Sequence, residues 1–364
     1  MDLISNPSDL KPSTTWAETT WAWTAEESLV DHERKARLCV ATLLPFKDGQ
    51  PDWDGFERSI RWMLDCAAHF DVEIAFVLNA DTGYIFNLSL ELYREVIERF
   101  RASFPEPKII CGTTAVGASG DHFKAEWYHP QLEIAQSFDN VEVMIMTSKL
   151  LNELDNERRR DAYFEIAEHI NVPAIAHALE PAFVPWATPY DPWLFYELAQ
   201  HPKYVGGKVS TLDEPHFLYW SAMCRDLGLD FAPHSGDDFG IAQAIRLGNP
   251  LLIGAGVSAC PLICAAKQMW LADQHGRFDT RVYKVFEAFQ SLEDVVFRLD
   301  ERGSAAAYKH STAAVLKLLG LVEADEIHPD CSDSRGSNEI DRMREALVRP
   351  LSLAKRLEIP HFAI

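Results

Sequence analysis

Short apolar runs recur along the chain from residue 38 onward. Each is bounded by Gly, Pro, Asn or Asp, and each is followed by a stretch whose apolar positions fall three and four apart. The runs lie at 38–44, 72–78, 108–112, 141–146, 172–177, 204–208, 229–233 and 252–255. Helical spacing fills 53–67, 89–103, 130–138, 156–169, 192–199, 214–226 and 238–246. Parallel strands with crossover helices produce this rhythm, and eight strands over about 220 residues fit a (β/α)8 barrel, which takes about 250. An open doubly wound sheet would call for a glycine-rich phosphate turn, and neither GxGxxG nor GxxxxGK[ST] follows any run. After residue 255 the alternation stops, and 261–272, 280–299, 305–319 and 338–356 read as helices. The expected architecture is therefore α/β, a (β/α)8 TIM barrel over 37–258 with a C-terminal helical extension over 259–364. An arm, 1–36, precedes it and carries Trp16, Trp21 and Trp23 without a clean period.

One polar residue interrupts this pattern in a telling place. The run Tyr204-Val205-Gly206-Gly207-Lys208-Val209-Ser210 carries a lysine at the end of a buried strand, with no acidic residue between Tyr204 and Thr211. Stripped of water an ammonium is disfavoured, so the free amine becomes available to attack a carbonyl and form a Schiff base. The alternative is a lysine just past the strand end that snorkels to solvent.

Composition narrows the chemistry. Of 364 residues 47% are hydrophobic and 24% charged, the balance of a globular protein. A formal charge of −21 repels phosphate, which argues against a nucleic-acid partner or an anionic membrane surface. Seven cysteines, odd in number and scattered, suit reduced thiols in a cytoplasm better than a disulfide framework. Cys260 and Cys264 are four apart, but no second Cys/His pair accompanies them, so no metal is expected. The N-terminus lacks a basic segment followed by an apolar core, and no apolar run is long enough to span a bilayer.

In a barrel the chemistry sits beyond the carboxyl ends of the strands. There stand Asn79 to Tyr84, Thr113 and Thr114, Thr147 to Lys149, His177 and Glu180, Lys208 and Ser210, the stretch His234 to Asp238, and Gly254 to Ser258. A lysine, two histidines, several hydroxyls and glycine-rich turns supply a nucleophile, a proton shuttle and donors for a carboxylate. Asp237 and Asp238 open a helix and read as caps. His234 reads equally well as a structural residue. Trp186, Tyr190 and Trp193 suggest either a bulky ligand or subunit contacts.

The segments VATLLPFKDGQPDWDGF, ADTGYIFNLS, IICGTTAVGAS, YVGGKVSTLD, SGDDFGIAQAIRLGNPLLIGAGVSACP and AAAYKHSTAAVLKLLGL follow one another in this order. Together they resemble the motifs of the dihydrodipicolinate synthase and N-acetylneuraminate lyase superfamily, from about residue 38 to 321. The resemblance implies a metal-free class I lyase or aldolase of a 2-oxo acid, assembled as a homotetramer or dimer, with Lys208 as the imine lysine and no cofactor. It places Thr82, beside the amide of Asp81 and the turn glycine Gly83, at the substrate carboxylate. Ser210, Gly256 and Lys149 are further candidates for substrate binding.

Three places depart from the family pattern. The strand-4 motif that would bring a proton-shuttling tyrosine reads Thr147-Ser148-Lys149-Leu150. In the carboxylate loop the first threonine is Asp81 and the glutamate is Tyr84. The strand-5 tyrosine is His177. The expected proton carriers become His177 first, then Tyr84 and Asp81, with His177 as a merely hydrogen-bonded strand-end residue the competing reading. Two other functions remain open: a barrel that has lost turnover and senses a small metabolite, and a metal-dependent aldolase built on His177, Glu180 and His234.

Overall fold

The computed structural model describes residues 37–120, 122–210, 214–228, 231–273, 280–360 and 362. The arm 1–36, with its three tryptophans, lies outside the described residues.

Eight parallel strands close into a barrel: β1 (Leu38–Ala41), β2 (Ile74–Leu78), β3 (Lys108–Thr113), β4 (Val141–Ile145), β5 (Ala174–Leu179), β6 (Tyr204–Ser210), β7 (Ala232–Ser235) and β8 (Leu251–Ile253). Each neighbours the next, and β8 pairs with β1. The runs are almost continuously apolar because both faces are covered, one by the barrel interior and one by helices. Among the described residues the helices are α1 (Trp53–His69), α2 (Leu90–Ser103), α3 (His129–Ala135), α4 (Lys149–Asn152), α5 (Asn156–Glu168), α6 (Pro192–Gln200), α7 (Glu214–Asp226), α8 (Ile241–Leu247), α9 (Ala255–Asp273), α10 (Arg281–Val296), α11 (Tyr308–Leu318) and α12 (Glu339–Arg356). Side-chain caps start several of them: Asp52 accepts from the Gly55 amide, Ser89 from Leu92 and Asp155 from Arg158.

Several boundaries differ from the periodicity, and three of them bear on the carboxyl-terminal mouth. The seventh strand, expected at 229–233, forms at Ala232–Ser235, where it meets β6 in the register Lys208↔His234 and Val209↔Ser235. The eighth ends at Ile253 rather than 255, because Asp238 accepts the Ala255 amide at 2.8 Å and starts α9 there. Helix α9 consequently runs through the boundary expected at residue 258. It is kinked at Ala259 (φ −125°), two residues before Pro261, whose missing N–H cannot complete the turn.

A charged cluster closes the amino-terminal floor of the barrel. Glu142 on β4 pairs with Arg37 (3.0 Å) and Lys108 (2.5 Å), and despite burial these cations hold its carboxyl below the ordinary range. The C-terminal extension is anchored on Glu339, which accepts from Ser311 Oγ at 2.6 Å and pairs with Arg298. Helix α11 is thereby held so that its first turn reaches the opposite, carboxyl-terminal mouth. No helix among the described residues is long and apolar enough to cross a membrane.

Candidate active site

Parallel register sets the centre of the mouth. Lys208 on β6 lies opposite His177 on β5 and His234 on β7. It is 8% exposed, and among the described residues no carboxylate stands within ion-pair distance of its amine. Burial depresses its pKa, and the charges of Asp238 and Asp81 pull it part of the way back. The side chain fits because residue 236 is glycine. A β-carbon there would lie 2.6 Å from Lys208 Cε and 2.6 Å from Ser210 Oγ. Lys208 and Ser210, two apart on one strand face, thus share the space above Gly236.

His177 is fully buried and bonds at both ring nitrogens, Nε2 to Ser210 Oγ (3.0 Å) and Nδ1 to Met146 Sδ (3.0 Å). Burial and then the Lys208 charge hold its pKa well below the ordinary value, so the ring is neutral and carries one proton. A thioether only accepts, which puts that proton on Nδ1 and leaves the Nε2 lone pair to accept from the Ser210 hydroxyl. His177 therefore accepts a hydrogen bond from Ser210, whose hydroxyl shares the space above Gly236 with the Lys208 side chain.

The loop after β2 turns tightly. Gly83 and Ile85 donate to Ala80 O, Tyr84 donates to Asp81 O, and Asn79 and Tyr84 take left-handed φ values of 53° and 61°. It packs so closely on β3 that a β-carbon at Gly112 would meet Asn79 O at 2.2 Å. Among the described residues no protein acceptor takes the amides of Asp81 and Thr82. The Asp81 carboxylate is gripped by Lys309 Nζ (3.1 and 3.0 Å) and by the Tyr308 hydroxyl (2.9 Å), and Tyr308 also bonds Thr82 Oγ1 at 2.9 Å. Phe297 stacks on the Tyr308 ring and Phe183 meets it edge-on.

Asp237 and Asp238 were expected to cap the helix they precede, but α8 begins at Ile241 with Gly240 as its N-cap and no side-chain cap. Asp238 instead accepts the Ala255 amide that starts α9; it is buried near the lysine, and burial pushes its carboxyl up to about 7 against the pull of the Ala255 amide and of Lys208. Glu293 on α10 is wholly buried near it. It accepts from Ser258 Oγ at 2.8 Å, and burial followed by the Asp238 charge raises it well above the ordinary carboxyl value. Asp238, Tyr308 and Lys309 were missed as site residues. The one signal available was a lysine in the alanine-rich opening of α11.

Other expected residues stand elsewhere. Tyr84 is buried with its ring against Phe46 and His328, on the side of the loop that meets the tail. Gly83 backs onto Asn79 and Thr42 and shapes the loop. Gly256 faces β1: a β-carbon would meet Val40 Cγ2 at 2.7 Å, so its role is close packing of α9. Lys149 is exposed at the start of α4 and pairs with Glu153 at 3.8 Å, outside the group that converges on Lys208. The His234 ring lies over Gly206, below Lys208, and bonds Ala232 O at 2.9 Å. Burial and then Arg37 lower its pKa to about 4. Cys260 and Cys264 are free thiols 3.8 Å apart. Among the described residues no three His, Cys, Asp or Glu side chains are grouped to hold a metal ion.

No family model matches the chain. A 4-hydroxy-tetrahydrodipicolinate synthase from Thermodesulfovibrio yellowstonii is 26% identical over 227 residues, covering 61% of this chain and 70% of that protein. Among solved structures, a monomeric dihydrodipicolinate synthase variant superposes with a TM-score of 0.70 at 15% identity, covering 86% of this chain and 96% of its own. The chloride-inhibited dihydrodipicolinate synthase of Acinetobacter baumannii, solved with pyruvate, gives 0.68 at 20% identity, covering 86% and 97%. Identities this low carry the fold.

Proposed function

The chain is a divergent member of the dihydrodipicolinate synthase and N-acetylneuraminate lyase superfamily, and from this premise we propose that it is a class I lyase forming a Schiff base between Lys208 and a 2-oxo acid. The observation that carries the reading is a buried amine, free of any carboxylate at ion-pair distance among the described residues, whose side chain shares the space above Gly236 with a serine hydroxyl that donates to a neutral histidine.

The uncharged amine adds to the carbonyl carbon, forming a C–N bond while the carbonyl oxygen takes up a proton. Loss of that oxygen as water leaves an iminium. With a 4-hydroxy-2-oxo acid, a base removes the 4-hydroxyl proton and the C3–C4 bond breaks. Its electron pair moves into the iminium to give an enamine, and an aldehyde departs. Protonation at C3 and hydrolysis return the amine and the shorter oxo acid. If the base instead removes a proton from C3, that electron pair forms the enamine, which then expels the 4-hydroxyl; the hydroxyl takes up a proton and leaves as water, giving dehydration. His177 acting through the Ser210 hydroxyl carries the protons, at a placement one residue pair from the imine nitrogen. The unclaimed amides of Asp81 and Thr82 hold the substrate carboxylate. Because the lysine is the electron sink, the proposed reaction draws on no metal or organic cofactor.

Borohydride reduction in the presence of pyruvate tests this. Hydride converts the imine to a stable secondary amine, so mass spectrometry should find the adduct on Lys208 and none in Lys208→Ala. An unmodified Lys208 across a panel of 2-oxo acids sinks the proposal.

A further inference from the structure

The turn that would receive the substrate carboxylate itself carries a carboxylate. Asp81 is only 8% exposed and adjoins Thr82, so a bound oxo acid would meet a like charge a few ångströms away in a site with little water to screen it. The compensation comes from a distant part of the chain. Lys309, on the first turn of α11, places Nζ 3.1 and 3.0 Å from the two Asp81 oxygens, with both side chains buried. Tyr308 donates its single proton to Asp81 Oδ2, so its contact with Thr82 Oγ1 requires Thr82 to be the donor. Every hydrogen in this network points toward Asp81, and the Thr82 hydroxyl is left with lone pairs only. It cannot donate to a carboxylate, which therefore depends on the loop amides and on the charge balance around them. The placement of α11 is fixed independently of any ligand: the Ala305 amide donates to Ala182 O in the loop after β5 (2.7 Å), and Ser311 is tied to Glu339.

We propose that Lys309, with Tyr308, is a positioning residue of the substrate site: the C-terminal extension neutralises Asp81 and so permits an anionic 2-oxo acid to occupy the Asp81–Thr82 turn. The inference rests on the Schiff-base reading above and adds to it a specificity element from outside the barrel. The extension is then part of the binding site, and the aspartate at this position is workable only in a chain that brings its own cation to it.

The test uses the full chain and two probes of nearly equal shape, pyruvate and its uncharged amide, pyruvamide. For each, the concentration giving half-maximal borohydride-trapped adduct on Lys208 is measured. In Lys309→Met that concentration should rise roughly tenfold or more for pyruvate and stay within about twofold for pyruvamide. Lys309→Arg and the double variant Asp81→Asn/Lys309→Met should both restore pyruvate to near the wild-type value. Asp81→Asn alone leaves the cation unopposed and should tighten pyruvate relative to pyruvamide, which keeps the test decisive should Lys309→Met fail to fold. Equal weakening of both probes, no weakening of either, or a double variant as weak as the single one overturns the inference while leaving the lyase reading intact. A wild-type chain that gives no adduct with either probe removes both.

Discussion

Asp238→Asn is the perturbation that most directly reports how the buried mouth handles charge. In the fold, burial raises this carboxyl from 3.8 to about 7. Between about pH 4 and about pH 7 the unfolded chain has therefore lost a proton that the folded chain keeps. Wild-type stability declines across that window and levels off above it. The difference between 3.8 and about 7 corresponds to about 4 kcal/mol, the most this one group can withdraw from folding at alkaline pH. Asparagine keeps the shape and can still accept the Ala255 amide, but does not ionise. Urea unfolding of both proteins should then give a stability difference near zero at about pH 4, growing in favour of Asp238→Asn by up to about 4 kcal/mol at about pH 8. The chemistry should move as well. Lys208 loses a charge that favours its ammonium form, so borohydride trapping should begin at lower pH than in the wild type. Two results would refute the reasoning: a stability difference flat with pH, which would mean a carboxylate ionised throughout the range, or a trapping onset displaced upward, which would mean that Asp238 does not favour the ammonium form of Lys208.

Two further substitutions separate site from scaffold. Gly236→Ala places a methyl 2.6 Å from Lys208 Cε and Ser210 Oγ; flexible side chains can move aside, so stability should fall by no more than about 2 kcal/mol. The displaced amine should nonetheless be trapped about a hundredfold more slowly in a rapid-quench assay, and wild-type kinetics would contradict the packing described. Glu293→Gln keeps the Ser258 contact but removes a carboxyl that burial, and then Asp238, holds well above its ordinary value. Wild-type stability falls as pH rises above about 4.5, so the glutamine variant should gain on it by about 1.4 kcal/mol per pH unit in urea titrations until the folded-state value is passed. A difference independent of pH would show that the acid is ionised in the fold.

Much of the architecture was legible because it is written in local pattern. Eight apolar runs bounded by turn residues specify buried parallel strands whatever lies around them, and Lys208 stood out as a charge placed where a strand expects an apolar residue. His177 was legible as a strand-end residue, and the β5–β6 register then puts it opposite Lys208. Boundaries slipped where a side chain from elsewhere intervened. Asp238 accepts the amide of Ala255, a residue far along the chain, and so starts the next helix where the apolar run alone would have continued the strand.

The charge balance of the mouth could not be read in this way. Asp81 and Lys309 are 228 residues apart, and no periodicity relates them; only closing the barrel and docking α11 brings their atoms to 3.0 Å. Sequence alone left Asp81 as a departure from the family loop and a candidate proton carrier with no partner named, and left Asp238 as a cap with no link to the amine. Local pattern fixes which face of a strand or helix is buried, because hydrophobic burial acts residue by residue along the chain. Ionisation and hydrogen-bond direction depend on the few groups within a few ångströms in a medium with little water, and those groups are chosen by the tertiary structure.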